Sequence, residues 1–108
     1  MGIRFMKKMA EKYDLIFVPS LDSLYIKYNV NDPIDYADFQ VVSLRSDYYK
    51  VYPVCEIKGN EIVTSNDERT WVEARSNSML EKYLIEFKKN YKEALIKLKI
   101  KSIEKDFK

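Results

Sequence analysis

Glu56 and Lys58 stand two residues apart in Val51-Tyr52-Pro53-Val54-Cys55-Glu56-Ile57-Lys58, an apolar, β-prone run closed by the turn pair Gly59-Asn60. Alternate side chains of a strand share a face, so a carboxylate and an ammonium would project together, with Cys55 and Ile57 packed behind them. Joined by one upstream aspartate, such a pair can hold a divalent cation while the lysine steers a phosphate or a water. The same tripeptide pattern is common, and an ion pair on the wet side of a half-exposed strand accounts for it without chemistry. Context has to decide between the two.

Composition narrows the chemistry. The 108 residues contain no histidine, one cysteine and two glycines, Gly2 and Gly59. Nucleophilic triads that need a histidine are excluded, a zinc site has too few ligands, and no glycine-rich phosphate loop exists. Any metal would be a hard ion on oxygen ligands, Mg2+ or Mn2+. The length suits one domain with one modest core. An apolar fraction of 46% with 33% charged residues suits a soluble globular protein. The single cysteine, the lack of a bilayer-length apolar run and the lack of a signal-peptide core lead us to expect a cytoplasmic protein without membrane partners. The net charge of +2 is unevenly spread: +3 over residues 1–12, −6 over the middle and +5 over residues 82–108. Basic ends around an acidic centre suit a polyanion that brings its own metal, and equally an ordinary lysine-rich surface.

The elements that must position these groups follow from periodicity. Ile3, Met6, Met9, Ala10 and Tyr13 recur at helical spacing, and Leu15 to Val18 read as a buried strand ended by Pro19-Ser20. Asn31-Asp32-Pro33 breaks the chain after an alternating stretch through Leu24, Ile26 and Tyr28. A second strand, Phe39 to Leu44, opens with Asp38 at its mouth, and a third, Tyr48 to Ile57, returns after a polar turn. If the two form a hairpin, Asp38 faces Glu56 across the ladder. Glu61 to Thr64 and Arg69 to Arg75 read as further short strands. Ser78 and Glu81 form a capping box that starts a helix with Leu80, Tyr83, Leu84, Phe87 and Tyr91 on its core face, which Asn90 could end. The alternation of Ile96, Leu98 and Ile100 with lysines favours a final strand over residues 95–101. A continued helix is the alternative, since Ile96, Ile100, Ile103 and Phe107 share a helical stripe.

In this order the chain resembles the PD-(D/E)xK nuclease superfamily, most closely the small archaeal-type Holliday junction resolvases. The likeness is carried by Ala37-Asp38-Phe39-Gln40-Val41-Val42, by Pro53-Val54-Cys55-Glu56-Ile57-Lys58, and then by Thr70 to Glu73, Met79 to Phe87 and Ala94 to Lys99. It implies an α/β fold with a restriction-endonuclease-like core, a mixed central sheet flanked by the N-terminal helix and a second helix near residues 79–91. It also implies a Mg2+-dependent DNA endonuclease, a hydrolase with Mn2+ as substitute ion, acting on branched or double-stranded DNA such as a Holliday junction in recombination and repair, and working as a homodimer. Asp38 and Glu56, with the Ile57 carbonyl, would hold the metal, and Lys58 would orient the attacking water or bind the phosphate. Asp35 competes with Asp38, Glu11 of the first helix matches an acid that often completes the site, and Ser20 matches a serine after the first strand. Lys88, Lys89, Lys92, Lys97 and Lys99 could track the nucleic-acid backbone, or be ordinary surface lysines. The alternative is a non-catalytic small α/β interaction protein, such as a viral or mobile-element factor that binds a host protein.

Overall fold

The computed structural model describes residues 2–26, 39–65 and 67–106, with side chains as far as Lys101. The chain runs through helix α1 (Ile3–Lys12), strands β1 (Leu15–Val18), β2 (Ser23–Ile26), β3 (Gln40–Leu44), β4 (Tyr49–Val51), β5 (Cys55–Lys58), β6 (Glu61–Thr64) and β7 (Val72–Ala74), then helix α2 (Asn77–Asp106). This is a small α/β fold of sheet and two helices. The strands form a five-stranded sheet in the order β1-β2-β3-β4-β7 and a separate β5–β6 hairpin. Every pairing among the described residues is antiparallel. Among the described residues the sheet is thus antiparallel, without the parallel pairing that a mixed order implies.

Its cause lies in the last segment. Residues 95–101 continue α2 instead of returning as a strand, so nothing in them pairs with the sheet. No Gly, Pro or turn cluster interrupts Tyr91-Lys92-Glu93-Ala94-Leu95, which allows propagation of the helix at little cost per residue. A strand would have put Ile96, Leu98 and Ile100 on one face. The helix separates them: Leu98 is half-buried, whereas Ile96 and Ile100 point to solvent. Asn90, expected to stop the helix, instead donates its amide to the Pro53 carbonyl at 2.8 Å.

The helices cover one face of the five-stranded sheet, and Val41 on the other face is fully buried as well. Leu24, Val42, Tyr49, Val51 and Ala74 are fully or almost fully buried, with Met6 and Met9 of α1 and Leu80, Leu84 and Phe87 of α2 packed in the same cluster. The chain enters β1 through Asp14, whose φ of 56° ends α1 in the left-handed region, a conformation that a short polar side chain tolerates. On the opposite side of β4 and β7, Lys50 sits over the Trp71 ring at 4.6 Å and Arg75 over Tyr48 at 5.7 Å, which ties these two strands together by cation–π contact.

Helix α2 is capped earlier than the sequence pattern suggests. The Ser76 hydroxyl accepts from the Met79 amide at 3.2 Å and its carbonyl from the Leu80 amide at 3.0 Å, so Ser76, not Ser78, is the N-cap. Glu81 consequently lies beyond the capping box and turns to α1, accepting hydrogen bonds from Lys12 at 2.5 Å and the Tyr13 hydroxyl at 2.8 Å. Lys12 foremost, then Tyr13, holds the Glu81 carboxyl below its ordinary range. A depressed carboxyl stabilises the fold above the unfolded glutamate value, and that contribution fades as pH falls through the lower folded value. Thermal melts from neutral to acidic pH should therefore show a shallower acid limb for Glu81→Gln than for the native chain. Equal slopes would mean that the α1–α2 clasp contributes nothing in solution.

Candidate functional site

Pro53 decides the geometry around Glu56. The β3–β4 ladder runs through Leu44↔Tyr49, Ser43↔Lys50 and Val42↔Val51, and the Tyr52 amide still donates to the Val41 carbonyl at 2.8 Å. There it stops. Proline has no amide hydrogen to continue a ladder, and β5 leaves to pair with β6 instead, Glu56 opposite Val63 and Lys58 opposite Glu61. The expected single strand from Tyr48 to Ile57 is thus two strands in two sheets, and the ladder proposed to face Asp38 toward Glu56 does not reach that far. Asp35 and Asp38 themselves lie outside the described residues.

The β5–β6 hairpin is anchored to β3 by the Thr64 hydroxyl, which donates to the Gln40 carbonyl at 2.7 Å, and closed by Ser65, whose amide donates to the Val54 carbonyl at 2.9 Å. Its two-residue loop places Gly59 at φ 64°, with no positive φ at Asn60, the sign pattern of a type II′ turn in which glycine takes the first central position. As expected from the alternation, Glu56 and Lys58 share the exposed face of β5.

Between β5 and α2 opens a cleft of about 450 Å³, whose walls include Cys55, Glu56 and Ile57 on one side and Asn90, Glu93 and Lys97 on the other. Three of the anticipated residues, Glu56, Ile57 and Lys97, meet here. Glu93 joins them through the helix that residues 95–101 continue, and it is the residue that sequence reading missed. Only the correct choice of helix over strand would have found it. Burial pushes the Cys55 thiol up to about 12 despite the opposing pull of Lys88, which disfavours the thiolate form that a nucleophile needs.

No family model, curated protein or solved structure matches this chain.

The other anticipated residues scatter. Glu11 is exposed on α1, and Ser20 is exposed in the 3-10 turn Pro19–Leu21 after β1. Among the described residues no three acidic, cysteine or histidine side chains converge as a metal-holding group. The lysines sort into three environments. Lys88 is half-buried and lies over the Tyr91 ring at 5.4 Å, Lys97 lines the cleft, and Lys89, Lys92 and Lys99 are exposed on the outer side of α2. At about 100° per residue Lys88, Lys92 and Lys99 fall within about 40° of one another and Lys89 about 60° further round, so it is only Lys97, on the cleft side, that does not share a track with the others. No helix among the described residues is long and apolar enough to cross a membrane.

Proposed function

We propose that this protein is a non-catalytic α/β interaction module. The observation that carries this reading is the run of α2 through residues 95–101, with Ile96 and Ile100 about half exposed, 49% and 51%, where the nuclease core would require a returning strand. Ile96 and Ile100 stand one helical turn apart and so form a small exposed apolar patch, the kind of surface a partner can cover. The exposed setting of Glu56 and Lys58, on a hairpin outside the five-stranded sheet, also fits a surface ion-pair role better than a water-excluded catalytic one.

One observation favours a second reading. Glu56, Glu93 and Lys97 share a cleft, and two carboxylates beside an amine are the kind of donor set that a Mg2+-dependent DNA endonuclease uses. Under that reading Asp38 or Asp35 completes the metal set, Lys58 serves the water or phosphate, and branched DNA is cut by a homodimer.

One assay separates the two. Supercoiled plasmid and a four-way DNA junction are incubated with the protein and Mg2+, then with Mn2+. The interaction module leaves both substrates intact. Cutting that disappears in Glu56→Ala and in Glu93→Gln would overturn the non-catalytic reading and establish the second.

A further inference from the structure

We infer that the solvent face of α2 is a docking surface for an acidic amphipathic helix of a partner protein. The inference rests on the non-catalytic reading above and supplies the chemistry of the partner.

Helix α2 carries a buried apolar seam and, on nearly the opposite side, an exposed seam of isoleucine and lysine. Leu80, Leu84, Phe87, Tyr91, Ala94 and Leu98 recur at alternating four- and three-residue steps and face the core, all buried or half-buried. The second seam follows the same steps through Ile85, Lys89, Lys92, Ile96 and Lys99, with Ile100 beside it, and every one of these residues is exposed. Ile85 at 56%, Ile96 at 49% and Ile100 at 51% are among the most exposed large apolar side chains of the described residues. Steps of this kind are what a second helix needs in order to pack along the first, since they keep one stripe in line with the partner. Glu86 and Glu93 line one flank, Glu93 within one turn of Lys89 and Ile96, while Lys92 and Lys99 line the other flank with no acid among them.

Charge selects the occupant. A second copy of α2 would set lysine against lysine, each meeting its own counterpart in a parallel pair and Lys89 meeting Lys92 in an antiparallel pair centred between them, and like charges brought together oppose pairing. A bilayer would cover Ile85 and Ile96 only by drawing in the two lysines between them, where hydrocarbon offers an ammonium no partner. Nucleic acid would neutralise the lysines and gain nothing from three exposed isoleucines. A helix that alternates leucine or isoleucine with glutamate satisfies both: its apolar residues cover the isoleucines and its carboxylates meet the lysines.

The test uses the full chain and four probes: a labelled helical peptide with leucine and glutamate on one face, the same peptide with lysine for glutamate, phosphatidylserine vesicles and duplex DNA. Anisotropy should show binding of the acidic peptide and little of the basic one. Ile96→Asp combined with Ile100→Asp should weaken binding about tenfold or more, the size of effect typical of central apolar contacts. Lys89→Glu with Lys92→Glu should reverse the preference toward the basic peptide, an outcome that loss of folding cannot produce. Melting curves of both variants, whose substitutions face solvent, establish that they fold. Equal affinity for the two peptides, or capture of vesicles or DNA through these residues while the acidic peptide is ignored, overturns the docking surface. That failure, alongside uncut plasmid, leaves the non-catalytic reading standing, whereas Glu56-dependent cutting defeats that reading whatever the peptides do.

Discussion

Phe87→Ala is expected to remove about 3–5 kcal/mol of stability, the range for a large aromatic truncated in a core. Phe87 is 1% exposed, sits in the middle of the core face of α2 and meets Tyr91 with ring centroids 5.9 Å apart. Its ring also borders a pocket of about 160 Å³ lined by Asp14, Leu15, Ile26, Lys88 and Tyr91. Neighbours that already leave space on one side have less to offer for filling the gap, so relaxation recovers little and the loss falls toward the upper end of the range. Against a total stability of roughly 5–15 kcal/mol for a domain, this is a fifth of the total at the least and all of it at the low end of the range. Urea denaturation followed by circular dichroism measures it. A midpoint change equivalent to under about 1 kcal/mol, the size of an ordinary surface substitution, would show that α2 does not dock through this face.

Tyr49→Phe should produce the second-largest loss, about 1–3 kcal/mol, without changing the packing volume noticeably. Tyr49 is fully buried, and its hydroxyl accepts from the Gly2 amide at 2.7 Å while donating to the Asn77 side-chain carbonyl at 2.8 Å. One phenol thereby joins the chain preceding α1, strand β4 of the sheet and the first turn of α2. Deleting the oxygen leaves an amide hydrogen and an amide oxygen without that partner, and the cost is the penalty for unmatched polar groups rather than lost area. A drop in Tm of ~4–8 °C for each kcal/mol follows for a domain of this size. If Tyr49→Phe melts with the native chain, water has replaced the hydroxyl and the three-way junction carries no weight. Adding Asn77→Ala to the Tyr49→Phe variant should cost little more, because the two side chains share one bond.

How far the sequence spoke for the structure varied with the kind of signal. The stretch Ile3 to Tyr13 announced a helix and Leu15 to Val18 a strand, and both form almost to the residue, because an amphipathic stripe and a short apolar run each have one good way to be buried. Gly59-Asn60 announced the β5–β6 turn for a backbone reason: only glycine takes a positive φ there without cost. The segment 95–101 misled. Alternating isoleucine and lysine satisfy a period of two and, with Leu95 and Leu98 turned inward, a period of 3.6 as well. What settled the matter was the absence of any breaker after Tyr91, together with the docking of Ala94 and the half-burial of Leu98. The capping serine was misplaced for a related reason: Ser76 and Ser78 are chemically equivalent caps, and the hydrogen bond to Met79 chooses between them.

The candidate site was legible in part. That Glu56 and Lys58 would share an exposed face follows from strand geometry alone and holds in the fold. Which acids stand near Glu56 does not follow, since that depends on where a strand ends and which element passes over it. Pro53 diverted the chain out of the β3–β4 ladder, and the unbroken α2 carried Glu93 and Lys97 to the opposite wall of the cleft.

The residue order by itself determined most of the kinds of element, much of the composition of the core and the exclusion of histidine-dependent triads, because these depend on local periodicity and on which side chains exist. Tertiary structure alone decided the partition into two sheets, the neighbours of Glu56 and the outward isoleucine–lysine seam of α2. The first two are relations between residues distant in the chain, and the third depends on which face of α2 the sheet covers; all are fixed by which apolar faces find one another and which backbone groups are left to pair.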